Sequence, residues 1–155
     1  MPNNIEEIFD FSVSSVKQED LAGIAELERL CFSEPWSEES LALLLGENAA
    51  GFIAGDAAGR LVGYVGLVTV LDEGQITNVA THPNFRRRGV GRALMTRLFE
   101  HCKERGIAYL SLEVRESNKG AIALYEGLGF QHVGGRKNFY RFPTEDALIM
   151  TRELN

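Results

Sequence analysis

Three consecutive arginines stand directly before Gly-Val-Gly in the segment FRRRGVGRAL, Phe85 to Leu94. From Gly89 onward apolar residues recur at Leu94, Met95, Leu98, Phe99 and Cys102, which is a helical stripe. The pattern is a short loop, a glycine turn and a helix start. The first turn of a helix carries unpaired backbone N–H groups and the positive end of the dipole. Glycines let an anion come close to that backbone, and arginines add charge and forked donors. A pyrophosphate is the ligand such a turn suits. A Walker P-loop would need Lys-Ser or Lys-Thr after Gly91, and none follows. A dinucleotide-binding fingerprint would need a third glycine where Leu94 stands. A bare helix start with solvated arginines remains the alternative.

Two further residues have chemistry to offer. In YLSLEV, Leu110, Leu112 and Val114 share one strand face, while Tyr109, Ser111 and Glu113 share the other. A carboxylate set in an apolar strand is costly unless it is partnered or used. Downstream, Asn118, Ala121 and Tyr125 fall at i, i+3 and i+7 and so line one helix face. The same tyrosine also fits a plain core stripe with Ala121, Leu124 and Leu128.

The elements that must position these groups follow from periodicity. FDFSVSSV (9–16) alternates and reads as a strand. KQEDLAGIAELERLCF follows as a helix, with Leu21, Ile24, Ala25, Leu27 and Leu30 at helical spacing. Pro35 breaks it from a second helix in SEPWSEESLALLL, capped by Ser37. GFIAGD and LVGYVGLVTVL are strands joined by the hairpin loop DAAGR, and EGQITNVATHP is a third strand ended by Pro83. The helix from Gly89 stops at Gly106. The strand AYLSLEV (108–114) leads into a helix over SNKGAIALYEGLGF with Ser117 as its cap. FQHVGGRKNFYRF and DALIMTREL close the chain as two paired strands. The order predicts one α/β domain over 1–155, a mixed sheet of about seven strands with about four helices on both faces.

Composition narrows the function. The 155 residues are 45% hydrophobic and 25% charged, an ordinary soluble balance. Asp and Glu (22) exceed Lys and Arg (16), for a net charge of −6. That argues against general binding of nucleic acid or of an anionic membrane, and would suit a basic peptide. Cys31 and Cys102 have no metal-ligand spacing, and His82, His101 and His132 are scattered, so no metal is expected. The start MPNNIEEIFDF lacks the features of a signal peptide, no apolar run approaches a membrane span, and the expected location is the cytoplasm.

Two segments carry a resemblance. TNVATHPNFRRRGVGRALM resembles the acetyl-coenzyme A motif of the GNAT N-acetyltransferase superfamily, and LEVRESNKGAIALYEGLGF resembles its second conserved segment. The likeness runs from about Leu21 to the C-terminus. CFSEPWSEES, LDEGQITNVA, LEVRESN and IALYEGLGF are similar to segments of the RimI group, which acetylates the N-terminal alanine of a small-subunit ribosomal protein. The resemblance implies a GNAT-like mixed sheet with an acetyl-CoA slot between splayed central strands. It implies that Arg87, Arg88, Gly89, Val90, Gly91 and Arg92 cradle the pyrophosphate, mainly through backbone N–H groups, with Arg86 facing solvent. Val79, Ala80 and Thr81 would pair their backbone with the pantetheine arm, and a backbone N–H near Val79 would hold the oxyanion. Glu113 would be the general base, working through a water, Tyr125 the acid toward the leaving thiolate, and Asn118 a hydrogen-bond partner of the coenzyme. Trp36, in the loop CFSEPWS, and Tyr140, in GRKNFYRFP, would hold the acceptor. Acetyl-CoA is then a co-substrate and no metal is needed. The partner implied is the N-terminal peptide of a ribosomal protein, with the enzyme a monomer or weak dimer. MPNNIEEIFDF precedes the first strand and leaves the catalytic centre untouched.

The acceptor's own chemistry bears on the choice of amine. An α-amino group has a pKa of about 7.7–8.0 and a lysine side chain about 10.4. At neutral pH the N-terminus is the one with an appreciable neutral fraction, so a modest base such as Glu113 matches it better. Transfer to a small amine or a protein lysine, or a non-catalytic acetyl-CoA-binding module, are the rival readings. The last would need neither Glu113 nor Tyr125.

Overall fold

The computed structural model describes residues 9–154. In chain order the elements are β1 (Phe11–Ser15), α1 (Leu21–Cys31), α2 (Glu38–Leu41), β2 (Ala49–Asp56), β3 (Leu61–Val70), β4 (Glu73–Thr81), α3 (Val90–Arg105), β5 (Tyr109–Arg115), α4 (Lys119–Gly127), β6 (Gln131–Tyr140) and β7 (Glu145–Glu153). The strands form one sheet in the order β1-β2-β3-β4-β5-β7-β6. Every neighbouring pair is antiparallel except β4 and β5, which run parallel. The expected mixed sheet with four helices is therefore present. The residues before Phe9, which make up most of MPNNIEEIFDF, lie outside the described range.

Both sheet faces are covered. On one, Leu21, Ile24, Ala25 and Leu27 of α1 pack with Leu41, Leu44, Tyr64 and Ala80. On the other, Leu94, Met95, Leu98 and Cys102 of α3 pack with Phe52, Val65, Leu67, Leu110, Leu112 and Tyr125. Each leucine, isoleucine, valine, methionine or phenylalanine among them contributes about 1.5–3 kcal/mol by leaving water. The helix ends follow the local chemistry. Ser37 Oγ accepts the Ser40 amide at 3.1 Å. Gly106, at φ 70°, closes α3. One expected cap shifts by a residue. Asn118, not Ser117, caps α4, its Oδ1 accepting the Ala121 amide at 3.2 Å. Ser117 is drawn away because its own amide donates to Glu145 Oε2 at 2.7 Å.

The centre of the sheet is open. β4 and β5 pair only from Glu73–Gln75 to Tyr109–Ser111, and beyond that the two strands run on unpaired. β4 also carries a bulge: Val65 pairs with Val79 and Leu67 with Ile76, so Thr77 and Asn78 together oppose Gly66. Gly66 permits this, because a Cβ there would run into Thr77 Oγ1 and lie 2.9 Å from Leu44 Cδ2. β5 meanwhile stays paired with β7 from Tyr109 to Arg115. A wedge opens between the central strands, with the bulge on one wall and Glu113 on the other.

Candidate active site

At the end of β4 the chain makes one 3-10 turn, Pro83–Phe85, and then the arginine-glycine segment. Arg87 and Gly89 both take positive φ, 63° and 83°. The first backbone bond of α3 runs from the Ala93 amide to the Gly89 carbonyl at 3.0 Å. The amides of Val90, Gly91 and Arg92 precede that bond, and no side chain caps them. Around Gly89 there is open space, since a Cβ would meet no atom within 4 Å. Arg87, Arg88 and Arg92 are exposed around this turn. Arg88 lies over the rings of Phe9 and Phe85, at 5.3 and 5.9 Å. Bare amides, a helix dipole and three guanidinium groups fit a diphosphate. Arg86 is exposed but tethered rather than free: its Nε donates to the Thr81 carbonyl at 3.2 Å.

The neighbouring edge of β4 is also available. The His82 amide donates to the Val62 carbonyl at 2.7 Å, which makes Val62 and His82 a hydrogen-bonded pair. Antiparallel pairing alternates, so Thr81 and Val79 turn their N–H and C=O groups away from β3, toward the gap. The Thr81 carbonyl is used by Arg86 Nε and by Cys31 Sγ at 3.5 Å. Val79 keeps both groups open to an extended arm or to a developing negative charge. The Ala80 side chain is buried in the α1 cluster.

Beyond the last paired residues of β4 and β5 lies a cleft of about 630 Å³. Glu113, Asn118, Ala121 and Tyr125 line it, together with Trp36, Asn78 and Tyr140. The structure thus brings together the expected base, acid, coenzyme-side asparagine and both acceptor residues. Val79, Ala80, Thr81 and the arginine-glycine turn do not line this cleft. Val79–Thr81 continue β4 beyond Ile76–Asn78, which do line it, and the turn follows after Pro83–Phe85.

Glu113 is 19% exposed, with Arg136 Nε at 3.7 Å from its Oε1. Gln75 Nε2 approaches the same oxygen at 3.4 Å, and Gln75 is itself fixed by the Ser111 hydroxyl at 2.6 Å. Tyr125 is 6% exposed and packs on Phe130 at 5.9 Å, and its hydroxyl makes no hydrogen bond to another described residue. Burial pushes its phenol well above the ordinary value, so it keeps its proton through the neutral range. The Tyr140 phenol is pushed up to about 12, first by burial and then by the charge of Glu113. The Arg115 guanidinium sits 4.6 Å over its ring.

Three features of the site were missed from the sequence. Arg115 ties two rims of the cleft together. Its Nη1 donates to the Pro143 carbonyl and Glu145 at 2.9 and 3.1 Å, and its Nη2 to Ser33 Oγ and the Arg141 carbonyl at 2.9 and 2.8 Å. It lies two residues after Glu113 on the same strand face, which was the available signal. Glu28 is buried beneath the cleft, where Asn78 and the Trp36 amide bond to it. Its spacing of three, four and seven from Ala25, Ile24 and Leu21 put it on the core stripe of α1. The bulge at Thr77–Asn78 left no such mark.

Residues 21–130 match the family model described as acetyltransferase (GNAT) family. The chain is 40% identical to the [ribosomal protein bS18]-alanine N-acetyltransferase of Escherichia coli, over 93% of this chain and 98% of that one. It is 32% identical to the N-alpha-acetyltransferase RimI of Mycobacterium tuberculosis, over 92% of each. The crystal structure of the ribosomal-protein alanine N-acetyltransferase from Escherichia coli superposes with a TM-score of 0.87 at 37% identity, covering 94% of this chain and 95% of that one. With an open wedge between β4 and β5, uncapped amides at the start of α3 and these relatives, the chain belongs to the GNAT family of acetyltransferases.

Proposed function

We propose that this acetyl-CoA-dependent N-acetyltransferase acts on the N-terminal alanine of a small-subunit ribosomal protein, bS18 in its relatives. The observation that carries the reading is the cleft at the parting of β4 and β5. Glu113 and Tyr125 line it together, with Trp36 and Tyr140 at its acceptor side. The 40% identity over nearly the whole of a bS18-alanine N-acetyltransferase supports the choice of acceptor. A ribosomal protein as acceptor puts the reaction in the cytoplasm.

Acetyl-CoA brings the activated acyl group as a thioester. The amides of Arg87 to Arg92 and the guanidinium groups of Arg87, Arg88 and Arg92 hold the diphosphate. The free edge of Val79–Thr81 holds the pantetheine arm, and Asn118 adds a hydrogen bond. The Glu113 carboxylate takes the proton of the acceptor ammonium through a water, leaving a neutral amine to attack. The Val79 N–H faces the gap and stabilises charge on the carbonyl oxygen. The Tyr125 hydroxyl, held protonated by burial, donates to the departing sulfur, and the second proton, shed by the nitrogen as the amide forms, returns to it. Trp36 and Tyr140 orient the peptide, which lets positioning supply much of the rate.

The test is mass spectrometry of Ala-starting, Ser-starting, Met-starting and internal-lysine peptides after incubation with acetyl-CoA. Acetylation of the Ala-starting peptide at its α-amine, well ahead of the others, is expected. Preferential modification of lysine, or of a polyamine added as competitor, would overturn the choice of acceptor.

A further inference from the structure

Glu28 is the one charged residue that is wholly buried among the described residues, at 0% exposed. Its carboxylate accepts from three directions. The Trp36 amide reaches Oε1 at 2.8 Å, the Tyr64 hydroxyl reaches Oε2 at 2.6 Å, and Asn78 Nδ2 reaches Oε2 at 2.9 Å. All three partners are donors, and an ionised carboxylate offers only acceptors. They belong to three separate pieces: the loop after α1, the sheet at β3, and the β4 bulge. Burying a carboxylate is expensive even when it is satisfied, and an apolar side chain would fill the same stripe at lower cost. The two partners that line the cleft, Trp36 and Asn78, stand on its acceptor side and on its β4 wall. Asn78 is also the residue directly before Val79, whose N–H faces the gap.

We propose that Glu28 is a positioning residue for acetyl transfer. Its single carboxylate ties the acceptor loop, through the Trp36 amide, to the β4 bulge, through Asn78. It thereby sets the distance between the acceptor amine and the backbone donor at Val79. The inference rests on the acetyl-transfer reading above.

The test begins with Glu28→Gln, which keeps the shape but places an amide NH₂ against donors. Acetyl-CoA affinity by calorimetry should stay within about twofold, because the arginine-glycine turn is untouched. With an Ala-starting peptide, kcat should fall about tenfold or more and the peptide KM should rise, since a small misplacement at the reacting atoms is costly. The double variant E28Q/N78D restores an amide-to-carboxylate bridge with its polarity reversed, and should recover most of kcat. Tyr64→Phe removes only the third donor, and should lower the melting temperature while leaving kcat and KM within about twofold. Wild-type kcat and KM in Glu28→Gln would overturn the proposal. So would a double variant that regains thermal stability but not kcat. If Glu28→Gln does not fold, Asn78→Ala should show the same loss of kcat, and unchanged turnover there would be equally fatal. A wild-type enzyme that acetylates none of the peptides would instead refute the acetyl-transfer reading first.

Discussion

The two ends of the site are built in opposite ways. The end proposed for the coenzyme is local and made mainly of backbone: β4, one turn and the start of α3, contiguous from Val79 to Arg92. What it offers is uncapped amides and the open space around Gly89. The end proposed for the acceptor is assembled from side chains far apart in the chain, Trp36 after α1 and Tyr140 on β6, and it meets the first end at Glu113 on β5 and Tyr125 on α4. Long-range bonds hold it, such as those from Arg115 to Ser33 and to the Arg141 carbonyl. The difference teaches which changes should separate. Damage to the first end should weaken coenzyme binding and spare the choice of amine. Damage to the second should do the reverse, and the two effects should meet at Glu113 and Tyr125.

The sharpest way to break this division is at the meeting point. Glu113→Gln and Tyr125→Phe should each lower kcat by about 100-fold, with the acetyl-CoA Kd from calorimetry nearly unchanged. A wild-type rate in both would remove them from the chemistry. Next in size is Gly89→Val. A β-branched residue at φ 83° is strained and covers the amides, so coenzyme affinity should drop about tenfold or more. If calorimetry finds the affinity intact, the turn is not the cradle. A smaller effect is expected from Arg115→Gln, which releases both rims of the cleft. The peptide KM should rise about fivefold while the coenzyme Kd stays within about twofold, and a change in the coenzyme Kd alone would blur the two ends.

The pH profile sharpens the comparison most gently. A phenol with a raised pKa keeps its proton to higher pH, so neither Tyr125 nor Tyr140, the latter at about 12, loses its proton near neutrality. With an α-amine acceptor, kcat/KM should therefore climb toward a pH of about 8 and then level off to about 9.5. A fall between those values would mean that a group other than these phenols supplies the acid.

Legibility followed the same division. The arginine-glycine turn could be read because its residues are consecutive and a helix start has fixed chemistry. The face shared by Ser111 and Glu113, and the one shared by Asn118, Ala121 and Tyr125, also followed from period alone. The element order gave the sheet and its helices. Glu28 escaped because a glutamate on α1 reads as an exposed polar residue until its place on the buried stripe is weighed. The bulge escaped because Thr77 and Asn78 sit in an alternating strand and only the partner register with Gly66 exposes the extra residue. The clamp at Arg115 depends on the conformation of the segment 141–145, which no local pattern specifies. The α4 cap moved from Ser117 to Asn118 because of Glu145, a residue 28 positions away from Ser117.

The most direct measurement is a crystal structure of the protein with coenzyme A and an Ala-starting peptide bound. The diphosphate should lie on the amides between Arg87 and Arg92, the arm along Val79–Thr81, and the peptide α-amine one water away from Glu113. A diphosphate bound elsewhere, or an α-amine that approaches a different carboxylate, would contradict the account.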